Sequence, residues 1–142
     1  MIQHEFTIHL NRPIEQVFAF LADTGNLSMW QSNLIKMEPL TEGPLRAGSR
    51  FLEVRCLGRR ETEIQAEITA FEHNKRVETK TVTRPQVTVS YSLDKENGGT
   101  RLRYKFVLLT RGILRLIEPL IAGSLKKEHE SDFETLRRLL ES

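Results

Sequence analysis

The chain has 142 residues, of which 39% are hydrophobic and 28% are charged, an ordinary balance for one globular domain. Its 21 basic and 19 acidic side chains leave a net charge of +2, so no specific nucleic-acid partner is expected. Cys56 is the only cysteine and no signal-peptide pattern begins the sequence, which favours a cytoplasmic protein. No stretch is long and apolar enough to be transmembrane.

The first thirty residues predict a strand followed by two short helices. Residues 2–10 alternate between apolar and polar side chains, as a half-buried strand does. Pro13 is suited to the first turn of a helix, and the apolar residues after it recur at helical spacing. A further short helix is expected around Leu27–Gln31, with Trp30, the only tryptophan, within it.

Residues 33 to 109 predict six more strands, connected mostly by tight turns. The expected strands span residues 33–41, 50–57, 60–72, 76–83, 86–94 and 100–109. The sequence Asn97-Gly98-Gly99 is typical of a two-residue hairpin, in which both turn positions need positive φ. Alternation places one side of each strand inward, and the inward set is expected to be Leu52, Val54, Cys56, Thr62, Ile64, Ala66, Ile68, Ala70, Val87, Val89, Tyr91, Leu93, Leu102, Tyr104, Phe106 and Leu108.

The C-terminal segment, from residue 113 to 141, predicts a long helix that covers the apolar side of this sheet. Pro119 predicts a kink or break near residue 118. At 100° per residue the apolar stripe contains Ile113, Ile117, Leu120, Ile121, Leu125, Phe133, Leu136, Leu139 and Leu140. The predicted fold is therefore α+β: about seven antiparallel strands in a curved sheet around a C-terminal helix, in a single domain over residues 1–142.

Polar residues interrupt that stripe. Glu128 and Asp132 point into its middle, and His129 lies on its flank. Burying a lone carboxylate against hydrocarbon is costly, so the interruption needs an explanation. Three remain open: the helix bends or the carboxylates pair with an arginine of the sheet; they line a solvated cavity and contact a ligand; or they act as acid/base groups.

Other polar motifs favour structural roles. The glycine spacing of Gly43–Ser49 imitates a phosphate loop but lacks its lysine, so no cofactor is expected. The four histidines have no ligand-type spacing, so no metal is expected. The basic stretch from residue 46 to 60 contains five arginines, and it could be a solvated hairpin or a surface for an acidic partner.

Several segments in order resemble the START-like, helix-grip superfamily (SRPBCC), and in particular its polyketide cyclase/dehydrase and lipid-transport group. These segments are Pro13–Phe18, Leu21–Trp30, Gly43–Ser49, Gly98–Leu102 and Leu136–Glu141. The resemblance covers the whole chain and implies the helix-grip fold, with a cavity between sheet and helix. It carries no shared catalytic constellation, and members of the superfamily differ widely in function.

The sequence therefore predicts a protein that binds a small hydrophobic molecule, such as a lipid, a quinone or a polyketide-like compound, as a monomer or homodimer. The residues expected to contact the ligand are Trp30, Val54, Cys56, Val89, Tyr91, Tyr104, Phe106, Ile121, Leu125, Glu128 and Asp132. One alternative is a polyketide cyclase or dehydratase in which Glu128, His129 or Asp132 moves protons. Another is a module that binds a protein or the ribosome.

Overall fold

A computed structural model describes all residues from 1 to 142. The strands are β1 (Ile2–Leu10), β2 (Leu34–Pro39), β3 (Arg50–Leu57), β4 (Arg60–Glu72), β5 (Arg76–Thr81), β6 (Val87–Glu96) and β7 (Gly99–Leu108). The helices are α1 (Ile14–Ala22), α2 (Leu27–Trp30), α3 (Ile113–Leu116) and α4 (Glu118–Glu141), with a 3₁₀ turn over Thr24–Asn26.

The seven strands form one antiparallel sheet in the order β1-β7-β6-β5-β4-β3-β2. Strand β1 forms one edge of the sheet, and α1 and α2 connect it to β2 at the opposite edge. The strands from β2 to β7 are then neighbours in chain order, and β7 pairs with β1. The β6–β7 hairpin turns at Asn97 and Gly98, which both have positive φ as predicted. This architecture confirms the predicted fold class.

Helix α1 packs one apolar stripe into the main core. Pro13 precedes the first helical residue, and its carbonyl accepts hydrogen bonds from the Gln16 and Val17 amides. Four side chains at helical spacing are buried: Ile14, Val17, Phe18 and Leu21. They join β1, β6, β7 and α4 in a cluster of fifteen buried residues.

Helix α4 begins where Pro119 predicts an interruption. Residue 117 separates α3 from α4, and Pro119 stands in the first turn of α4, where a proline costs no hydrogen bond. The buried face contains Asp132, Phe133, Leu136 and Leu140. The predicted stripe is wrong at its start, because Ile113, Ile117 and Leu120 are 77%, 41% and 77% exposed.

The inward side of β3 also differs from the prediction. Phe51, Glu53, Arg55 and Leu57 face the interior, whereas the expected set is Leu52, Val54 and Cys56. Directly paired residues of an antiparallel sheet point to the same side, and Arg55 lies opposite Thr62. The alternation of apolar residues is misleading here because the interior accepts two charged side chains.

A bulge between Ile68 and Ala70 shifts the register of β4 against β5. The extra residue turns the strand so that Phe71, and not the predicted Ala70, faces inward beyond Ile68. Together with a second bulge in β2, it gives the sheet local bends at which it can wrap around the helix.

The interior contains two separate apolar clusters. The large one joins α1 and α4 to β1, β6 and β7. The small one consists of Phe51, Ala66 and Ile68, on β3 and β4. Phe71 packs against both clusters. Residues of both clusters line the cavity described next.

Candidate functional site

A cavity of about 320 Å³ lies between the concave side of the sheet and α4. Its walls come from β3 to β7, from α2, from three residues of α4 and from the loop between β5 and β6. Of the 34 residues that line it, 20 are hydrophobic, so most of the wall can contact only an apolar body. This volume falls at the lower end of the roughly 300–1,000 Å³ typical of small-molecule sites.

One part of the cavity wall is polar and is organised around Arg55. Its guanidinium donates to Asn33 Oδ1 at 2.6 Å, to Gln31 Oε1 at 2.8 Å and to a carboxylate oxygen of Glu53. The side chains of Arg55 and Glu53 are only 19% and 10% exposed. A charged pair so far from solvent needs these additional hydrogen bonds, because Coulomb attraction alone does not offset the loss of hydration.

Asp132 stands on the α4 side of the cavity and is 6% exposed. Its Oδ1 accepts a hydrogen bond of 3.2 Å from the backbone amide of Ser32, which is its only hydrogen-bonding residue within the protein. Burial raises the pKa of Asp132 above its ordinary value of 3.8, although Ser32 and the Arg55 charge oppose the shift. Burial and the charge of Asp132 likewise raise the pKa of half-buried Glu128.

Four aromatic side chains form the wall beside Asp132. Tyr91 and Tyr104 are directly paired on β6 and β7, with ring centroids 5.3 Å apart. Phe133 of α4 contacts Tyr104 at 4.7 Å and Trp30 at 5.4 Å. Gln31 donates to the Tyr91 hydroxyl at 3.3 Å, whereas the Tyr104 hydroxyl has no partner in the protein.

Both tyrosines stay protonated at neutral pH. Burial is the main cause that raises the pKa of each hydroxyl well above 10. The Tyr104 hydroxyl is therefore a neutral group that can donate or accept a hydrogen bond towards a molecule in the cavity.

His129 lines the cavity one turn before Phe133. Its ring lies 4.7 Å from Phe106, 5.6 Å from Tyr104 and 6.0 Å from His4, counted between centroids. Burial among these rings lowers the pKa of His129 to about 4, and burial also lowers the pKa of His4. Both imidazoles are therefore neutral at pH 7, and His129 Nδ1 and His4 Nε2 are buried without a hydrogen-bond partner.

The raised pKa of Asp132 has a consequence for stability. A carboxyl group whose folded pKa exceeds its unfolded pKa favours folding while it is protonated and disfavours folding as pH rises through the folded value. We therefore expect Asp132→Asn to raise the melting temperature at pH 7–8, because the amide oxygen still accepts the Ser32 hydrogen bond without carrying charge.

Thermal unfolding of both proteins from pH 3 to pH 8 tests this expectation, and the difference between them should vanish below the unfolded pKa of about 4. The exposed carboxylate Glu130, two residues away on the same helix, provides the control Glu130→Gln, which should change little. A lower melting temperature for Asp132→Asn at pH 8 would contradict the assignment.

The structure brings together some of the sequence-predicted site residues and separates others. Those that line the cavity are Trp30, Val89, Tyr91, Tyr104, Phe106 and Asp132, with the candidate acid/base residue His129. Cys56 is exposed, and Val54 is buried without lining the cavity, because β3 presents its other side. Ile121 and Leu125 pack against the large core cluster, and Glu128 does not line the cavity.

The sequence prediction misses the polar residues Glu53, Arg55, Gln31 and Asn33. It groups Arg55 with the basic stretch of residues 46–60, and the structure corrects this, since the guanidinium points inward. The turn between β3 and β4 indicates the inward position of Arg55. Leu57 pairs with Arg60 around a two-residue turn at Gly58 and Arg59. This register places Arg55 beside Thr62, which alternation assigns correctly to the interior.

No group of three or more His, Cys, Asp or Glu side chains is placed to hold a metal ion. None of the four helices combines the length and the apolar character that crossing a bilayer would require.

Solved structures with the same fold span the chain from end to end. A Thermus thermophilus protein superposes with a TM-score of 0.80 at 16% identity, covering 96% of this chain and 94% of its own. A START superfamily protein from Mycobacterium smegmatis gives 0.80 at 11% identity, covering 99% and 98%. DynU16, from the dynemicin biosynthetic locus, gives a TM-score of 0.73 at 15% identity. The match covers 100% of this chain and 48% of DynU16.

At such low identities these structures show the fold and not the activity. A comparison with curated proteins found no match. The sequence profile of one family, polyketide cyclase / dehydrase and lipid transport, matches residues 1–141. The chain therefore belongs to the polyketide cyclase/dehydrase and lipid transport family, and its helix-grip architecture is the one that family predicts.

Proposed function

We propose that the protein binds a small, mostly apolar molecule that carries a hydroxyl or keto group at one end. The observation that supports this proposal best is the composition of the cavity wall: 20 of its 34 residues are hydrophobic, and Asp132, Tyr104 and Arg55 gather at one part of it. Ligand sites generally combine an apolar lining with a few convergent polar groups that fix orientation.

The size of the cavity restricts the ligand. A volume of about 320 Å³ suits a compact ring system or a short acyl chain, and a phospholipid with two long chains would not fit within it. The unpartnered Tyr104 hydroxyl and the Asp132 carboxyl group together offer a donor and an acceptor to one end of such a molecule.

Blocking the cavity tests the proposal. Val89 lines the cavity on β6, whereas its neighbour Thr88 points to the other side of the sheet and does not line it. We expect Val89→Trp to weaken binding of the neutral fluorescent probe N-phenyl-naphthylamine about 100-fold, roughly 2.7 kcal/mol, because the indole occupies the ligand volume. Thr88→Trp is the matched control and should bind as the wild type does.

Fluorescence titration of the three proteins gives the dissociation constants, and thermal unfolding checks that each variant is folded. Equal affinities for the two tryptophan variants, or no saturable binding by the wild type, would refute a ligand site in this cavity. A thermal-shift screen of quinones, fatty acids and aromatic polyketides would then identify the class of natural ligand.

A second candidate is a cyclase or dehydratase acting in the same cavity, and the pKa of Asp132 favours it. A carboxyl group with a raised pKa keeps its proton to a higher pH than an ordinary aspartate does, and it can pass that proton to a bound molecule. The two candidates are separated when a polyketide that stabilises the protein in the thermal-shift screen is incubated with it, recovered and analysed by mass spectrometry. An unchanged compound supports a binding protein, whereas loss of water from a polyketide-like compound supports the enzyme.

A further inference from the structure

The segment between β7 and the second turn of α4 exposes a continuous apolar surface. Ile113, Leu116 and Leu120 are 77%, 82% and 77% exposed, and Leu114 and Ile117 are 36% and 41% exposed. A chain of this size normally leaves large apolar side chains exposed singly, whereas here five lie within eight consecutive residues. We call residues 111–120 the apolar ridge.

Basic side chains accompany the apolar ridge. Arg111 and Arg115 are exposed within it, and Lys126 and Lys127 are exposed shortly after it on α4. The only acidic residue between positions 109 and 127 is Glu118, which is already engaged by the Thr110 hydroxyl at 2.8 Å and by the amino group of Met1 at 2.9 Å. The free charge of this surface is therefore positive, although the net charge of the whole chain is only +2.

The apolar ridge adjoins one end of the cavity. Leu108 lines the cavity, and the next residue, Leu109, donates its amide hydrogen bond to Gln86 at 3.0 Å. This bond joins the backbone two residues before the ridge to the β5–β6 loop, whose residues Thr83, Arg84 and Pro85 also line the cavity. The same loop exposes Val82, at 48%, and the Arg84 side chain, so it extends both the apolar and the basic character.

We propose that the apolar ridge docks on the surface of an anionic phospholipid bilayer. Exposed leucine and isoleucine side chains with flanking arginines and lysines are the combination by which peripheral proteins enter the headgroup region. The apolar side chains leave water there, and the basic side chains meet the negative surface charge of the leaflet. Docking in this orientation places the cavity end formed by Leu108 and the β5–β6 loop next to the membrane.

Vesicle flotation tests this proposal with the full chain. Vesicles of phosphatidylcholine alone are compared with equal mixtures of phosphatidylcholine and phosphatidylglycerol, at low and at high salt. The wild type should float with the anionic vesicles, and high salt should weaken its binding because salt screens the basic side chains.

Two variants separate the apolar from the electrostatic part. Ile113→Gln/Leu116→Gln/Leu120→Gln removes the most exposed apolar groups with residues that keep helix propensity, and it should reduce vesicle binding by at least about tenfold. Arg111→Gln/Arg115→Gln should reduce binding to anionic vesicles by roughly fivefold or more for each charge. The control Met29→Gln/Ile35→Gln changes two exposed apolar residues on α2 and β2 and should bind normally.

Two results would overturn the proposal: a wild type that does not float with anionic vesicles, or a triple glutamine variant that floats as the wild type does. In the first of these cases, analytical ultracentrifugation without vesicles tests the alternative. A dimeric wild type and a monomeric triple variant would show that the ridge joins two copies of the chain. The ridge does not depend on the ligand site, so Val89→Trp should bind vesicles normally.

Discussion

Replacing Arg55 with methionine is expected to lower the free energy of unfolding by about 3–5 kcal/mol, because it leaves the Glu53 carboxylate buried without its partner. Asn33 and Gln31 would lose their hydrogen bonds to the guanidinium at the same time. Both charged side chains are more than four-fifths buried, so solvent can do little to compensate.

The companion change distinguishes a buried pair from a merely well-packed arginine. Glu53→Gln together with Arg55→Met should recover much of the loss, since no uncompensated charge remains. Urea unfolding of the wild type, the two single variants and the double variant gives the coupling energy. Strictly additive effects of the two single changes would show that Glu53 and Arg55 are not coupled. Arg50, which forms a more exposed contact with Glu67, is the control, and Arg50→Met should cost at most about 1 kcal/mol.

Replacing Phe133 with alanine is expected to cost about 3–5 kcal/mol and at the same time to enlarge the cavity. Phe133 is 5% exposed and packs against Phe6, Trp30 and Tyr104, so its removal takes one packed neighbour from each of the three rings. Since Phe133 also lines the cavity, the space created should join the cavity.

The matched control is Leu136→Ala, one turn further along α4. Leu136 is fully buried but does not line the cavity, and its loss should cost a similar amount, about 2–5 kcal/mol. Bulkier apolar compounds added before thermal unfolding should restore stability to Phe133→Ala more than to Leu136→Ala. Equal rescue of both variants would show that Phe133 does not form part of the proposed ligand-binding wall.

The fold could be predicted from periodicity because its elements bury one face each. The predicted bounds of the strands agree with the structure to within two residues at either end, and the hairpin at Asn97 and Gly98 is marked by residues that accept positive φ. A break beside Pro119 follows from the geometry of proline. In each instance a local chemical rule and the global architecture agree.

The polar part of the site could not be predicted by the same rule. Period-two alternation assigns the inward side of a strand to its apolar residues, and β3 places Glu53 and Arg55 inward instead. These side chains are tolerated because Gln31 and Asn33, in the connection between α2 and β2, complete their hydrogen bonds. The inward side of β3 could have been assigned from β4, because the tight turn between them fixes which residues pair and β4 is assigned correctly at Thr62.

The apolar ridge marks the second limit of pattern-based prediction. Helical spacing shows which side chains share a face, but it does not show what covers that face. Ile113, Ile117 and Leu120 have the spacing of core residues, and yet they are 77%, 41% and 77% exposed. An exposed position with a core-like pattern is for that reason informative about partners.

The division of the interior into a large and a small apolar cluster would give a ligand of the proposed kind a mechanical role. Strands β3 and β4 share a core of only three buried residues, so this side of the sheet depends mainly on backbone hydrogen bonds for its rigidity. A molecule in the cavity would contact both clusters and add packing contacts between them. Occupancy would then stiffen the far half of the sheet, so that a filled and an empty protein differ in flexibility while keeping the same outline.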